Sequence, residues 1–106
     1  MTTFDDRENA FEAKFAHDND MQFRAGARRN KLVGLWAAEL MGKSGDDAAE
    51  YAREVIASDF EEAGDDDVVR KVMADCKAKN IDQSEHQVRR TMDELMGEAI
   101  AQIKAQ

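Results

Sequence analysis

Four basic side chains lie within eight positions of this chain, and their types and spacing suit the binding of an anion; they are Arg24, Arg28, Arg29 and Lys31. On a helix, Arg24, Arg28 and Lys31 occupy successive turns of one flank, while Arg29 falls toward the apolar side. Guanidinium groups match phosphate oxygens in geometry and charge, so the cluster is a candidate site for a nucleotide phosphate. Two other interpretations stay open: ion pairs with acids of neighbouring helices, and contact with an acidic protein partner.

A second group of residues that suits binding lies at the N-terminus. Phe4, Phe11 and Phe15 follow one another at spacings of seven and four, which places them within roughly 40° of each other on a helix. Charged residues surround them, so the apolar stripe is narrower than the arc of roughly 100° that a core-facing helix needs. A narrow aromatic stripe on a charged helix suits a groove on another protein, where a few anchors carry most of the binding energy. The sequence therefore predicts a partner-binding arm.

The chain carries no recognisable catalytic motif. It has no glycine-rich phosphate loop, no Gly-x-Ser-x-Gly turn and no paired-cysteine zinc pattern. His17 and His86 belong to different segments, and Cys76 falls on an apolar helix face, as a buried and inert thiol does. The acids Asp65–Asp67 lack the alternating spacing of a calcium loop and suit a helix start. We expect no enzyme activity, no metal site and no required cofactor.

Composition narrows the class of protein further. The 106 residues carry a net charge of −8. Binding to the phosphate backbone of a nucleic acid needs clustered Lys and Arg side chains, so this acidic composition argues against it. No apolar run approaches the length of a membrane span, and the acidic N-terminus does not resemble a secretory signal. A single cysteine precludes an intrachain disulfide. We expect a cytoplasmic protein without nucleic-acid binding and without direct membrane insertion.

These residues must be positioned by helices, because the chain lacks proline and is rich in alanine and other helix-forming residues. The arm is predicted to open with Thr2 or Thr3 as its N-cap and to run to about His17. A joint is predicted at Asp18–Asp20, where helix-poor, cap-forming residues meet. The fold class is therefore all-α: an antiparallel four-helix bundle of residues 20–106, preceded by a mobile or partly helical N-terminal arm of residues 1–19.

Start and stop signals divide the bundle into four helical segments. The predicted segments are about 21–41, 44 to the residue before Gly64, 65–79, and a last one that runs to the C-terminus. Two capping-box spacings compete for the start of this last segment: Ser84 with Gln87, and Asp82 with Glu85. The apolar face predicted for the first of them comprises Ala25, Leu32, Val33, Trp36 and Leu40. Arg29 lies inside that arc as a misfit, and Trp36 is predicted to be core rather than a platform for adenine.

Several stretches together indicate a family. They are TFDDRE at 3–8, AFEAKFA at 10–16, ARRNKLVGLWAA at 27–38, GDDA at 45–48 and SDF at 58–60. In these stretches the chain resembles the zeta subunit of α-proteobacterial F-type ATP synthases, and the resemblance covers essentially the whole sequence.

The resemblance implies a function and two sites. Zeta subunits inhibit ATP hydrolysis by their synthase; the N-terminal segment enters a catalytic α/β interface as a helix, and the rest folds as a four-helix bundle that is described as binding ADP or ATP. The partner-binding residues would be Phe4, Arg7, Glu8, Phe11, Lys14 and Phe15. The nucleotide ligands, inferred from charge, would be Arg24, Arg28, Arg29 and Lys31.

The implied partners are the α and β subunits of the catalytic head, with the γ subunit as a further candidate, at the cytoplasmic periphery of the membrane-bound enzyme. The competing hypothesis is a nucleotide-sensing or general protein-interaction module, in which the bundle acts and the arm has no direct inhibitory role.

Overall fold

The structure, a computed structural model, describes the backbone of residues 3–59 and 65–105, and within those ranges the side chains from residue 20 onward. The described residues contain no strand and four helices: α1 (Thr3–Leu40), α2 (Gly45–Ser58), α3 (Asp66–Ala78) and α4 (Glu85–Ala105). They form the antiparallel four-helix bundle that the sequence predicts. Helix α1 packs mainly against α2 and α4, and α3 closes the bundle against the other three. None of these helices combines the length and the apolar composition that crossing a bilayer requires.

The N-terminal arm and the first bundle segment are one helix. The predicted joint at Asp18–Asp20 is wrong, since α1 is an unbroken helix of 38 residues that includes it. Helix-poor residues other than proline cost only a few tenths of a kcal/mol each, and the i,i+4 ion pair between Asp20 and Arg24 favours the helix there. At 1.5 Å per residue α1 is about 57 Å long, against about 31 Å for α4. The long axis of the molecule measures 64 Å, so α1 extends well beyond the bundle.

The end of α1 agrees with the predicted stop at Gly42. Gly42 has a φ of 77°, a left-handed conformation that favours glycine. The Lys43 amide donates to the Ala38 carbonyl at 2.8 Å, and the Gly42 amide donates to the Glu39 carbonyl at 3.1 Å. These two bonds form a Schellman motif, which satisfies carbonyl groups that the helix end would leave unpaired.

The last helix begins with one of the two capping boxes that the sequence predicts, Ser84 with Gln87. The Ser84 amide donates to Gln87 Oε1 at 2.8 Å, and the Gln87 amide donates to Ser84 Oγ at 3.1 Å. This reciprocal pair is the predicted capping box. Ser44 is likewise the N-cap of α2, although its side chain makes no capping hydrogen bond. Helix α2 ends at Ser58, and the predicted stop before Gly64 lies outside the described residues.

The core is built from small and β-branched side chains. Its members are Val33, Ala37, Ala38, Tyr51, Val55, Val68, Val69, Val72, Cys76, Val88 and Met92. On α1 the buried face is rotated relative to the predicted one. Ala25 and Val33 are buried as expected and Trp36 is half-buried, but Leu40 is 38% exposed, and Ala37 and Ala38 are buried instead. Small residues let neighbouring helices approach closely, so α1 turns Ala37 and Ala38 inward rather than Leu40.

Candidate functional site

An open groove of about 520 Å³ lies beside three of the four basic residues predicted to bind an anion. Helix α1 supplies most of its lining, because residues spaced by three and four positions share one face of a helix. The lining residues are Phe23, Arg24, Ala27, Arg28 and Lys31 of α1, Ile56 of α2 and Ile103 of α4. We call this the basic groove.

The basic side chains of the basic groove make few contacts with other side chains. Arg24 Nε lies 3.3 Å from Asp20 Oδ2 in an exposed pair, and Arg28 Nη1 donates to Gln102 Oε1 at 2.8 Å. Lys31 is exposed and forms no ion pair with another described residue. An anion that enters the groove would therefore displace at most one exposed carboxylate. Three side chains with hydrogen-bond donors and net positive charge can converge on it.

Phe23 adds a flat apolar surface to the same groove. It is 65% exposed, more than any other large apolar side chain among the described residues. An aromatic ring beside basic side chains can stack on a planar heterocycle. Phe23 is not among the residues predicted for the site; the available signal was an aromatic residue next to Arg24 and outside the predicted apolar face.

Arg29 is separated from the other three basic residues. It is only 6% exposed, and its Nε and Nη2 both donate to Asn30 Oδ1, at 3.0 and 2.8 Å. Nη2 also lies 2.8 Å from Asp65 Oδ1, which joins α1 to the residue before α3. Arg29 thus makes the ion pair with a neighbouring helix that was one of the open interpretations. It does not line the basic groove.

Two other titratable groups are held in their neutral forms. The Tyr51 hydroxyl donates to Asp75 Oδ2 at 2.8 Å, and Lys71 Nζ lies 3.1 Å from that oxygen and 5.3 Å from the centre of the Tyr51 ring. Burial, together with the bond to Asp75, raises the pKa of Tyr51 above its ordinary value. Burial also raises the pKa of Cys76, whose buried position confirms the prediction for it. Neither group has the properties of an activated nucleophile.

The register of α1 relates the arm to the basic groove. The side chains of residues 3–19 lie outside the described part of the structure, as do the contacts predicted for Phe4, Arg7, Glu8, Phe11, Lys14 and Phe15. The backbone is nevertheless one helix from Thr3 to Leu40. At 100° per residue, positions 4, 11 and 15 are centred roughly 150° from positions 24, 28 and 31. They lie on the side of α1 that further along contains the buried residues Ala25 and Val33.

Comparison with known proteins agrees with this architecture. A chain solved by solution NMR is 54% identical and matches with a TM-score of 0.72, over 80% of this chain and 96% of that one. No curated protein matches the chain. The described helices make this chain a small all-α bundle protein with an extended first helix. The family comparison specifies which: the model for ATPase inhibitor subunit zeta matches residues 1–102. The chain belongs to that family.

Proposed function

We propose that this chain inhibits ATP hydrolysis by an F-type ATP synthase, by inserting its N-terminal arm as a helix at a catalytic interface between the α and β subunits. The observation that carries the proposal is the family match, which includes the whole arm as well as the bundle. The continuous helix to Thr3 supports it, because the arm and the bundle then form one elongated element. The γ subunit is a further candidate contact, and the site of action is the cytoplasmic face of the membrane-bound enzyme.

The aromatic residues would supply most of the binding energy. Burying the rings of Phe4, Phe11 and Phe15 in a closing interface contributes about 1.5–3 kcal/mol each, less the cost of ordering the arm. Arg7, Glu8 and Lys14 would pair with charges on the walls of the interface. Inhibition follows because the rotor cannot pass the state in which that interface is closed.

The experiment is an ATPase titration with full-length variants. Phe11→Ala should raise the concentration for half-inhibition about tenfold or more, since 1.4 kcal/mol corresponds to a factor of ten. Leu40→Ala is the matched control: it also truncates a large apolar side chain of α1, at the exposed far end of the helix. Equal potency of the Phe11→Ala variant and the unaltered chain would contradict the insertion of the arm.

A second function is favoured by the basic groove, namely binding of ADP or ATP. The phosphates would contact Arg24, Arg28 and Lys31, and the base would stack on Phe23. Arg29 is left out of this site because its guanidinium is already bound to Asn30 and Asp65. Positions 4, 11 and 15 of the arm lie on the opposite side of α1 from the basic groove. A nucleotide and a partner that holds the arm would therefore approach the helix from different directions.

A titration of the full chain with ADP, followed by amide chemical shifts, tests the nucleotide site. The largest shifts should fall in residues 23–31, and the double variant Arg24→Gln, Lys31→Gln should bind about tenfold more weakly or worse. Lys77→Gln on α3 is the matched control, since Lys77 is also exposed. Shifts centred elsewhere would overturn this assignment. Nucleotide binding in a chain whose arm variants inhibit normally would instead favour the sensing module without an inhibitory arm.

A further inference from the structure

A second groove, mostly apolar, opens between α1 and α4 at the end of the bundle from which the arm extends. It has a volume of about 460 Å³. It is lined by Met21, Gln22, Ala25, Met96, Ile100 and Lys104. Met21, Met96 and Ile100 are half-buried, so each still exposes apolar surface to solvent. We call this the α1–α4 groove.

Along α1, the α1–α4 groove comes after positions 4, 11 and 15 on the same side of the helix. Gln22 comes seven residues after Phe15, which on a helix is about 10.5 Å further along nearly the same line. Ala25 comes fourteen residues after Phe11, within roughly 40° of it. Because α1 is one helix across this region, positions 11 and 15 precede the groove on the same face of the helix.

We propose that the α1–α4 groove is a second contact for the partner that receives the arm. This inference rests on the proposed inhibition of the synthase. The occupant is an apolar side chain of the catalytic head, beside a carboxylate that pairs with Lys104. A partner surface that encloses the stripe reaches Met96 and Ile100 as soon as the arm is fully inserted. The end of the bundle then sets the depth of insertion at about residue 20.

Two other occupants fit the observations less well. The arm of the same chain would have to turn back on itself, whereas α1 continues as one helix from the groove to Thr3. A second copy of the chain carries the same net charge of −8, which opposes close approach.

The test is ATPase inhibition by full-length Met96→Gln and Ile100→Gln variants. Each should raise the concentration for half-inhibition about tenfold, as expected when an apolar anchor loses its pocket. Met73→Gln is the matched control, because Met73 is a half-buried methionine in the separate groove between α3 and α4. Lys104→Glu, on an exposed side chain that cannot disturb the core, should weaken inhibition as well, and more strongly at low ionic strength.

The outcomes separate this inference from the function on which it rests. If Phe11→Ala weakens inhibition and the variants at Met96, Ile100 and Lys104 do not, the groove contact is wrong and the arm insertion stands. If neither set weakens it, the proposed function itself fails. Self-association that Ile100→Gln abolishes would assign the groove to a second copy. Amide shifts at Met96 on removal of the arm would assign it to the arm, and either result overturns the proposal.

Discussion

Gly34 of α1 lies directly against the backbone of Ala52 of α2. A Cβ atom on Gly34 would come within 2.6 Å of the Ala52 Cα and 3.1 Å of its Cβ. Real Cβ atoms do not approach backbone atoms that closely, and a Cα in the middle of a helix cannot move alone. The glycine therefore sets the distance between the two helices that carry much of the core.

The first prediction concerns that contact. Gly34→Ala should lower the free energy of unfolding by about 1–3 kcal/mol, because α1 and α2 must separate to admit the methyl group. Gly26→Ala is the control in the same helix: nothing lies within 4 Å of its added Cβ, so better helix propensity should stabilise the fold by up to about 1 kcal/mol. Urea unfolding measures both changes, and a Gly34→Ala variant as stable as the parent would show that the helices do not pack this closely.

The second prediction concerns the ion pair between Arg29 and Asp65. Asp65→Asn removes the charge that faces a buried guanidinium, and should cost about 1–2 kcal/mol, a value moderated because Asp65 is itself 49% exposed. Asp20→Asn removes an exposed pair with Arg24 and should cost about 0.5 kcal/mol or less. Equal losses of stability in the two variants, by urea unfolding, would argue against a structural role for Arg29.

The third prediction is a loss of stability at alkaline pH. Tyr51 and Cys76 have raised pKa values in the folded state, above ordinary values of 10.0 and 9.0. As pH rises past those ordinary values, the unfolded chain releases protons that the folded chain keeps. The contribution of these two groups to the free energy of unfolding should therefore be fully present below about pH 9 and should decline above it.

A single tyrosine makes this prediction easy to check. Tyrosinate absorbance should appear only with unfolding, well above pH 10. Tyr51→Phe removes the bond to Asp75 and should cost about 1 kcal/mol near neutrality, with the difference from the parent shrinking above about pH 10. Ionisation of Tyr51 near pH 10 in a chain that is still folded would refute the assigned environment.

The fourth prediction distinguishes the proposed role of Phe23, stacking on the base, from that of the basic side chains, which would bind the phosphates. Phe23→Ala should weaken ADP binding about tenfold, since stacking on an aromatic ring contributes about 1–3 kcal/mol. It should leave the affinity for pyrophosphate, which has no ring to stack, within about twofold. Calorimetric titration with the two ligands measures the difference. A parallel loss for pyrophosphate would mean that Phe23 shapes the groove rather than holding the base.

The number and type of the bundle helices, and some of their ends, are predictable from this sequence because the signals for them are local. Gly42 stops α1, and the Ser84–Gln87 box starts α4, through bonds between residues close in sequence. The predicted joint at Asp18–Asp20 is wrong because placing these residues in a helix costs little free energy, and none of them breaks a helix outright. The prediction of the buried face of α1 is wrong for a tertiary reason: Gly34 and its neighbouring alanines are buried because α2 approaches them closely.

The candidate site shows the same division. Helical spacing alone brings Arg24, Arg28 and Lys31 onto one flank. The diversion of Arg29 to Asp65 depends on where α3 begins in space, 36 residues later in the chain. Helical spacing within α1 therefore cannot predict that Arg29 pairs with Asp65. Phe23 likewise becomes a groove residue only because Ile56 of α2 and Ile103 of α4 border the same space.

In the proposed function, the arm inhibits the synthase and the bundle supports the arm. The most direct measurement is the concentration for half-inhibition of the synthase's ATPase by the full chain and by a chain that begins at Asp20, after amide spectra have verified that the shorter chain folds. We predict that the shorter chain does not inhibit at concentrations at least about a hundredfold above those at which the full chain does, because loss of two aromatic anchors alone corresponds to that factor. Undiminished inhibition by a folded chain that lacks the first nineteen residues would contradict the account.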